Sequence, residues 1–386
     1  MSVINETLIQ NEYGFLGDVV YLNTSSIGLP PLRTQRAGSR FMEGYVESLC
    51  VNGITSLGPQ RTSAKEMLAE LIHADTDEIA FTKSTTEGIS IVAQGYPFEK
   101  SDNVVVCDME NPSNLYPWIC SSKKYGYALK LIKTDGRNLS EEQIFAAVDE
   151  NTRAISLSAV QFGTGICLDL EKIGRFCRER NILFVVDGIQ ALGRLVIDVK
   201  KLHIDVLSCG CYKGMLATFG TGIMYCRKDL IEKIVPSYVG GSSAVYEPDP
   251  PQTLDSIDEV SLRSDAERFE GSTTNAIGIA LLESSLSLIL ELGKENIQNH
   301  VRGLEILLRE KLQGCGLDIL PQSENLSGVL VMYYDEKHYD RASDIFEKAK
   351  IRVTHRPGYI RLSIGLHNSV SDIEKAADAL KQLGRL

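Results

Sequence analysis

Phe184-Val185-Val186-Asp187-Gly188-Ile189-Gln190 is the stretch on which the reading of the fold turns. Its bulky and β-branched residues suit a buried strand, and the run stops on an acidic side chain followed by a glycine. Comparable apolar runs occupy residues 78–81, 103–107, 128–132 and 154–158 before it, and 205–208 and 222–226 after it, the central run being 182–186. Helical patterns lie between most of them. Residues 139–148 carry Ile144 and Val148 one turn apart, and 170–181 put Ile173, Phe176 and Cys177 on one stripe. Strand alternating with helix predicts an α/β fold, with a mainly parallel sheet covered on both faces. Ligands in such folds bind beyond the carboxyl ends of the strands, so the loops that follow the runs are where chemistry is expected.

Three of these loops carry suitable groups. The first delivers Asp187. The next, Ser208-Cys209-Gly210-Cys211-Tyr212-Lys213-Gly214, delivers Lys213. The third, Ser84-Thr85-Thr86-Glu87-Gly88, opens a helix with small hydroxyl residues, and free backbone N–H groups there favour a phosphate. Taken singly, an Asp after a strand is more often a cap or turn residue, and a lone Lys a solvated side chain. Taken in this order after successive strands, they match the needs of pyridoxal 5'-phosphate. That cofactor requires an amine to form a Schiff base with its aldehyde, a carboxylate for its pyridine nitrogen and a cradle for its phosphate.

The composition narrows the partners. The chain has 386 residues, 43% hydrophobic and 24% charged, which suits a folded protein with a full core. A net charge of −11 argues against nucleic acid, and no apolar run approaches the length of a membrane span. The polar first 14 residues lack the pattern of a signal peptide. Nine cysteines, an odd number at irregular spacing, read as reduced and mostly buried thiols of a cytoplasmic protein. Cys209 and Cys211 lack the companions of a zinc set, so no metal is expected.

Downstream, Gly240-Gly241-Ser242-Ser243 and Glu247-Pro248-Asp249-Pro250-Pro251 mark residues 241–260 as a loop or lid. From Asn275 a single long helical pattern continues towards Leu312. Strands at 328–333 and 359–364 and helices at 339–350 and 370–383 make up an α/β end segment. The expected division is a large domain over residues 20–275 and a small one made of 1–19 and 276–386.

Tyr21-Leu22-Asn23-Thr24 and segments 81–88, 109–118, 186–193, 212–222, 268–275 and 361–368 together resemble the class V aminotransferase and cysteine desulfurase group of fold-type I pyridoxal phosphate enzymes. The resemblance covers nearly the whole chain. It implies a large domain on a mainly parallel seven-stranded sheet plus a small C-terminal α/β domain. It makes Lys213 the Schiff-base lysine, Asp187 the partner of the pyridine nitrogen and Gln190 a contact of the ring hydroxyl. Thr85 and Thr86 would hold the phosphate, with Ser208 or Tyr212. Thr273 would reach the phosphate of a neighbouring subunit, which implies a homodimer with shared sites. Arg361 would grip the substrate carboxylate, with Asn23 in the segment that faces the substrate side chain.

The departures from the group also inform. Asn111 stands where desulfurases carry a ring-stacking His, and Asn is no acid or base near neutral pH. Residues 351–359 hold no Cys, so a persulfide-forming desulfurase is not expected. Residues 160–165 lack the usual Asn, for which Gln161 or Gln190 would substitute, and Ala217-Thr218 replace the usual Gly-Pro. The reading is an enzyme acting at Cα of a small amino acid, with transamination ahead of a Cβ–S lyase or an epimerase. Two alternatives lie outside this class. One is a nicotinamide enzyme built on Phe219-Gly220-Thr221-Gly222, which lacks the acidic residue expected about 20 positions later. The other is a non-catalytic scaffold on the same fold.

Overall fold

A computed structural model describes residues 4–51, 58–245, 261–272, 274–320 and 325–385, with side chains outside 48–59. Thr273 and most of the expected lid lie outside the described residues. All seven apolar runs are strands of one sheet. They are β1 (Ile79–Thr82), β2 (Asn103–Cys107), β3 (Ala128–Ile132), β4 (Thr152–Ser158), β5 (Leu183–Asp187), β6 (Val206–Gly210) and β7 (Gly222–Cys226). The spatial order is β1-β7-β6-β5-β4-β2-β3. Pairs from β6 through to β3 are parallel, while β7 runs antiparallel to both β1 and β6.

Alternate residues of these strands enter two separate cores. Phe184 and Val186 join Ile155, Leu157 and Leu207 on one face, while Val185 joins Val104, Val106, Ala154 and Val206 on the other. Along the inner strands both faces are dry, which explains why those runs show no polar alternation; the edge strand β3 is more exposed. The parallel register sets Ser158 beside Asp187 and Asp187 beside Ser208 at the carboxyl edge. Asp187 and Ser208 are therefore delivered by sheet pairing, while Lys213 lies in the turn beyond β6 and Thr85 at the start of the helix beyond β1.

Two helices meet that edge. The helix Thr85–Gly95 is capped by the Ser84 hydroxyl, which accepts from the N–H of Glu87. Gly88 lets it approach β6, since a Cβ there would lie 2.3 Å from Ser208 Oγ. The helix Pro112–Tyr125 begins with Asn111 as its cap and Pro112 in its first turn, and it stops at Gly126, whose φ is 89°.

The long pattern after Asn275 forms two helices, not one. Ala276–Leu292 and Lys294–Lys311 meet at 79°. Gly293 adopts φ 81°, which a side-chain-bearing residue tolerates poorly, so the break is written at this glycine. The first of these helices packs on Leu32–Val51 and Gly58–Ile72. Among the described residues no single helix is long and apolar enough to cross a membrane.

The C-terminal sheet contains β8 (Asp318–Ile319), β9 (Val329–Tyr333), β10 (Thr354–Arg356) and β11 (Tyr359–Ser363), in the order β8-β9-β11-β10 with antiparallel pairs. Pro357 and Gly358 form the whole turn between β10 and β11, because Arg356 pairs directly with Tyr359. The N-terminal segment threads between the two sheets. Val20–Tyr21 pairs in parallel with Ile351–Arg352, Asn23 bridges Ser363, and the N–H of Gly28 donates to the carbonyl of Tyr212 at 2.8 Å.

Candidate active site

Asp187 ends β5 with its side chain buried. Its Oδ1 accepts from the N–H of Ile189 at 2.9 Å, and Oδ2 takes no hydrogen bond from the described residues. Burial pushes its carboxyl from 3.8 up to about 7, Glu110 adds to the rise, and Lys213 opposes it. Lys213 lies in the turn after β6, also buried. Its Nζ stands 5.7 Å from the centroid of the Tyr212 ring and has no hydrogen-bond partner among the described residues. Burial pushes the ammonium down to about 8, Arg361 and Arg194 push the same way, and Asp187 opposes. A buried amine of lowered pKa in the field of a buried carboxyl with a free oxygen is the kind of arrangement that active sites use.

The Lys213 loop has a fixed backbone. The carbonyl of Lys213 accepts from the N–H of Leu216, whose φ is 58°, and a Cβ on Gly28 would fall 1.9 Å from that same carbonyl oxygen. Gly28 thus allows the N-terminal segment to cross directly over the lysine.

Arg361 projects from β11 and is buried. Its guanidinium donates to the carbonyl of Phe162, to Ser26 Oγ at 2.7 Å and to Thr354 Oγ1 at 3.1 Å, while Nε stays without a partner. Thr354 Oγ1 in turn donates to Asn23 Oδ1 at 2.7 Å. No described carboxylate pairs with Arg361, and burial holds its pKa below the usual value. A buried guanidinium served only by neutral groups is suited to an anion from outside the chain.

The remaining expected residues divide. Gln190 is buried, its Nε2 donates to the carbonyl of Ser25 at 3.0 Å, and its Oε1 has no partner. Thr85 stands at the first helical position. Its Oγ1 accepts from the N–H of Gly210 at 2.9 Å, so its own hydroxyl proton is still available. Thr86 follows it, exposed, with the open N–H groups of the helix start. Ser208 is turned inward: its hydroxyl donates to the carbonyl of Thr85 at 2.9 Å under the helix. It therefore braces the start of this helix from below. Tyr212 is half-buried, its ring 4.5 Å from that of Phe219. Asn111 is engaged as a helix cap, its Oδ1 accepting from the N–H of Ser113 at 3.0 Å.

Other residues join the site that the sequence left unassigned. Buried Glu110 accepts from Asn114 Nδ2, Gln161 Nε2, and both the N–H and the hydroxyl of Ser158. This carboxylate, held by four donors, fixes Gln161 so that its Oε1 remains unpartnered. Buried Arg194 donates to Ser25 Oγ at 3.2 Å and to the carbonyl of Ser327, clamping the N-terminal segment to the C-terminal part. Ser26 and Thr354 orient Arg361. Cys209 and Cys211 are fully buried, and burial raises both thiols, so neither is a nucleophile.

The unsatisfied atoms fit one kind of guest. They are a carboxyl oxygen, an amine, two amide oxygens and an open helix start at the carboxyl edge of the large sheet, joined by a guanidinium without a carboxylate from the C-terminal sheet. Pyridoxal phosphate meets the first five with its ring nitrogen, aldehyde, ring hydroxyl and phosphate, and leaves the guanidinium for a substrate carboxylate.

The sequence model of the class V aminotransferases matches residues 55–375. The chain belongs to the class V aminotransferase family. Members of this family depend on pyridoxal phosphate, and this class V protein is accordingly a pyridoxal-phosphate enzyme, a transferase or lyase. It is 29% identical to a probable cysteine desulfurase of Methanothermobacter thermautotrophicus, over 97% of both chains. It is 31% identical to an uncharacterized aminotransferase of Schizosaccharomyces pombe, over 82% of this chain and 80% of that one. Among solved structures, a cystine C–S lyase in complex with its product cysteine persulfide superposes with a TM-score of 0.84 at 22% identity, covering 96% of this chain and all of the other (100%). At that identity the likeness speaks for the fold.

Proposed function

We propose that this enzyme acts at Cα of a small amino acid through Lys213, and that its reaction is amino-group transfer. The observation that supports this most is a buried amine without a hydrogen-bond partner among the described residues, Lys213, within electrostatic reach of both the buried Asp187 carboxyl and the carboxylate-free guanidinium of Arg361. Pyridoxal phosphate, when bound, supplies an aldehyde for an amine and a ring that draws electrons from Cα.

The chain supplies the rest. Lys213 Nζ would hold the cofactor at rest. Asp187 Oδ2 would keep a proton on the ring nitrogen, and Gln190 or Gln161 would meet the ring hydroxyl. The Thr85 hydroxyl and the N–H groups of the helix start would hold the phosphate. Arg361 would fix the substrate carboxylate against the wall made by Ser26, Thr354 and Asn23, which orients the Cα–H bond. Lys213 Nζ, when free of the cofactor, is shifted towards its neutral form by its burial, and so would be able to take the Cα proton and return it elsewhere. Asn111 is committed to its helix cap and takes no part in proton movement.

A Cβ–S lyase is the second reading. Elimination at Cβ needs no thiol on the protein, and the site has none to offer. The two-residue Pro357-Gly358 turn leaves no room for a Cys-bearing loop ahead of Arg361, and among the described cysteines Cys209 and Cys211 are deeply buried. A desulfurase that carries sulfur on its own cysteine therefore fits this chain poorly, despite the names of several relatives.

We further propose a cytoplasmic homodimer. A cavity of about 320 Å³ lined by Phe81, Lys83, Gly220, Tyr238 and Thr274 opens beside the helix start, and Phe219, Tyr238 and Val239 are exposed around it. Exposed aromatic surface of this kind suits a second copy of the chain.

The experiment is isotopic. The enzyme is incubated with ¹⁵N-labelled amino acids and a 2-keto acid, and the label is followed by mass spectrometry. Label in the amino acid formed from the keto acid supports transfer. Pyruvate and ammonia released with no acceptor present would replace it with the lyase reading.

A further inference from the structure

The strand before Arg361 carries a second guanidinium that the site described so far does not use. In the β10–β11 hairpin, Thr354 lies opposite Arg361 and Arg356 opposite Tyr359. Residues directly opposite in an antiparallel pair share a face, and diagonal neighbours on that face lie about 7–8 Å apart. Arg356 and Arg361 are such diagonal neighbours.

The contacts of each residue establish which way the face looks. His355, between Thr354 and Arg356, points the other way, into Tyr334, Tyr339 and Phe346. Thr354 and Arg361 look towards Ser26, Asn23 and Phe162, and the Tyr359 hydroxyl donates to the carbonyl of Gly163 at 2.9 Å. This is the substrate side. The backbone of Arg356 is pinned, its carbonyl accepting from the Tyr334 hydroxyl at 3.1 Å.

The charge on this face is unbalanced. Arg352, at the other end of the same segment, is paired with Glu347, and Asp318 on the far edge strand is paired with Arg137. Arg356 has no ion pair among the described residues, and it is exposed at the rim while Arg361 is buried behind it. Burial is the largest cause of the lowered Arg361 pKa, and the charge of Arg356 adds to it. Two cations of one sign on one face, each without a carboxylate, repel until an anion spans them.

We propose that Arg356 binds a second anionic group on the substrate side chain, so that the enzyme selects amino acids whose side chain ends in a carboxylate or a similar oxyanion. The proposal rests on the reading of Arg361 as the group that binds the α-carboxylate. Arg356 is then the specificity-determining residue: Arg361 fixes the end common to all amino acids, and Arg356 measures the far end. The two-residue turn keeps both guanidinium groups on a short, rigid hairpin.

The test needs no turnover. Succinate and butyrate, equal in length but carrying two carboxylates and one, are titrated into the cofactor-loaded enzyme by calorimetry. The wild type binds succinate at least about tenfold more tightly, the gain expected of a charge-assisted contact. Arg356→Gln loses that preference to within about twofold, Arg356→Lys keeps part of it, and Arg361→Gln weakens both ligands. Thermal unfolding of Arg356→Gln matches the wild type, since the residue sits on an exposed edge strand. Equal binding of both ligands by the wild type overturns the proposal and leaves Arg361 intact. So does a preference that survives Arg356→Gln. If the wild type binds neither ligand, the reading of Arg361 falls and the proposal falls with it.

Discussion

In the cofactor-free enzyme, replacing Asp187 by Asn stabilises the fold at alkaline pH. The carboxyl is isolated from water, and burial raises its pKa from 3.8 to about 7, with Glu110 adding to the rise and Lys213 opposing it. Below the unfolded value both states hold the proton, and the group costs the fold nothing. Between 3.8 and about 7 the unfolded chain ionises while the folded one holds its proton, so stability falls as the pH rises through that window, and the loss is complete above it. The gap between 3.8 and about 7, at about 1.4 kcal/mol per pH unit, comes to about 4 kcal/mol when fully expressed. Because Asp187 and Lys213 titrate as an interacting pair, a gain of about 1–4 kcal/mol is expected near pH 8.5. Asn keeps the volume and still accepts from the N–H of Ile189 at Oδ1. Loss of the negative charge does not strand Lys213, whose pKa of about 8 leaves it mostly neutral at that pH. The assay is urea unfolding of both proteins near pH 8.5 and pH 5. The account expects Asp187→Asn to be the more stable at the higher pH, with the advantage at least halved at the lower. No gain at pH 8.5 would refute the reasoning, because the carboxyl would then not be a strained group held for a cofactor.

Three further outcomes follow from the same geometry. Arg361→Gln removes a charge-assisted contact, so KM for amino acids rises about 10- to 100-fold while cofactor uptake, read by absorbance, is unchanged; an unaltered KM removes its carboxylate role. Gly28→Ala places a methyl group against the Lys213 carbonyl oxygen, with only backbone to yield. It lowers stability by about 1–3 kcal/mol and weakens cofactor binding, and a variant with wild-type melting and affinity would show that the crossing is looser than described. Glu110→Ala leaves the donors of Ser158, Asn114 and Gln161 unserved in a buried site. It costs about 3 kcal/mol or more, Glu110→Gln costs less, and a Glu110→Ala variant that melts like the wild type would show that the carboxylate and its donors contribute nothing.

The strands were legible because both faces of the sheet are buried, which leaves unbroken apolar runs at 103–107 and 222–226 and around Phe184. Their direction was not. Nothing local marks β7 as antiparallel, since an apolar pentapeptide reads the same either way along a sheet. The helix break at Gly293 was hidden by apolar residues that continue past it, although the glycine itself was the available sign. Within the candidate site, groups at or just beyond a strand end were legible, because the chain order places them at the carboxyl edge: Asp187, Lys213 and Thr85. Groups that act through distant partners were not. Arg194 meets Ser25 and Ser327, Thr354 meets Asn23 and Arg361, and Glu110 gathers donors from β4 and beyond. No spacing in the sequence encodes such meetings. Ser208, which the resemblance offered with Tyr212 as a phosphate contact, lies within β6 and donates its hydroxyl to the carbonyl of Thr85, a partner 123 residues away that no local pattern signals.

The central claim is that Lys213 carries the cofactor. The direct measurement is to load the protein with pyridoxal phosphate, reduce it with borohydride, digest it, and locate the cofactor by mass spectrometry. The account predicts one modified peptide, bearing the cofactor mass on Lys213, and none in the Lys213→Ala variant. Attachment at another lysine, or no attachment at all, would contradict it.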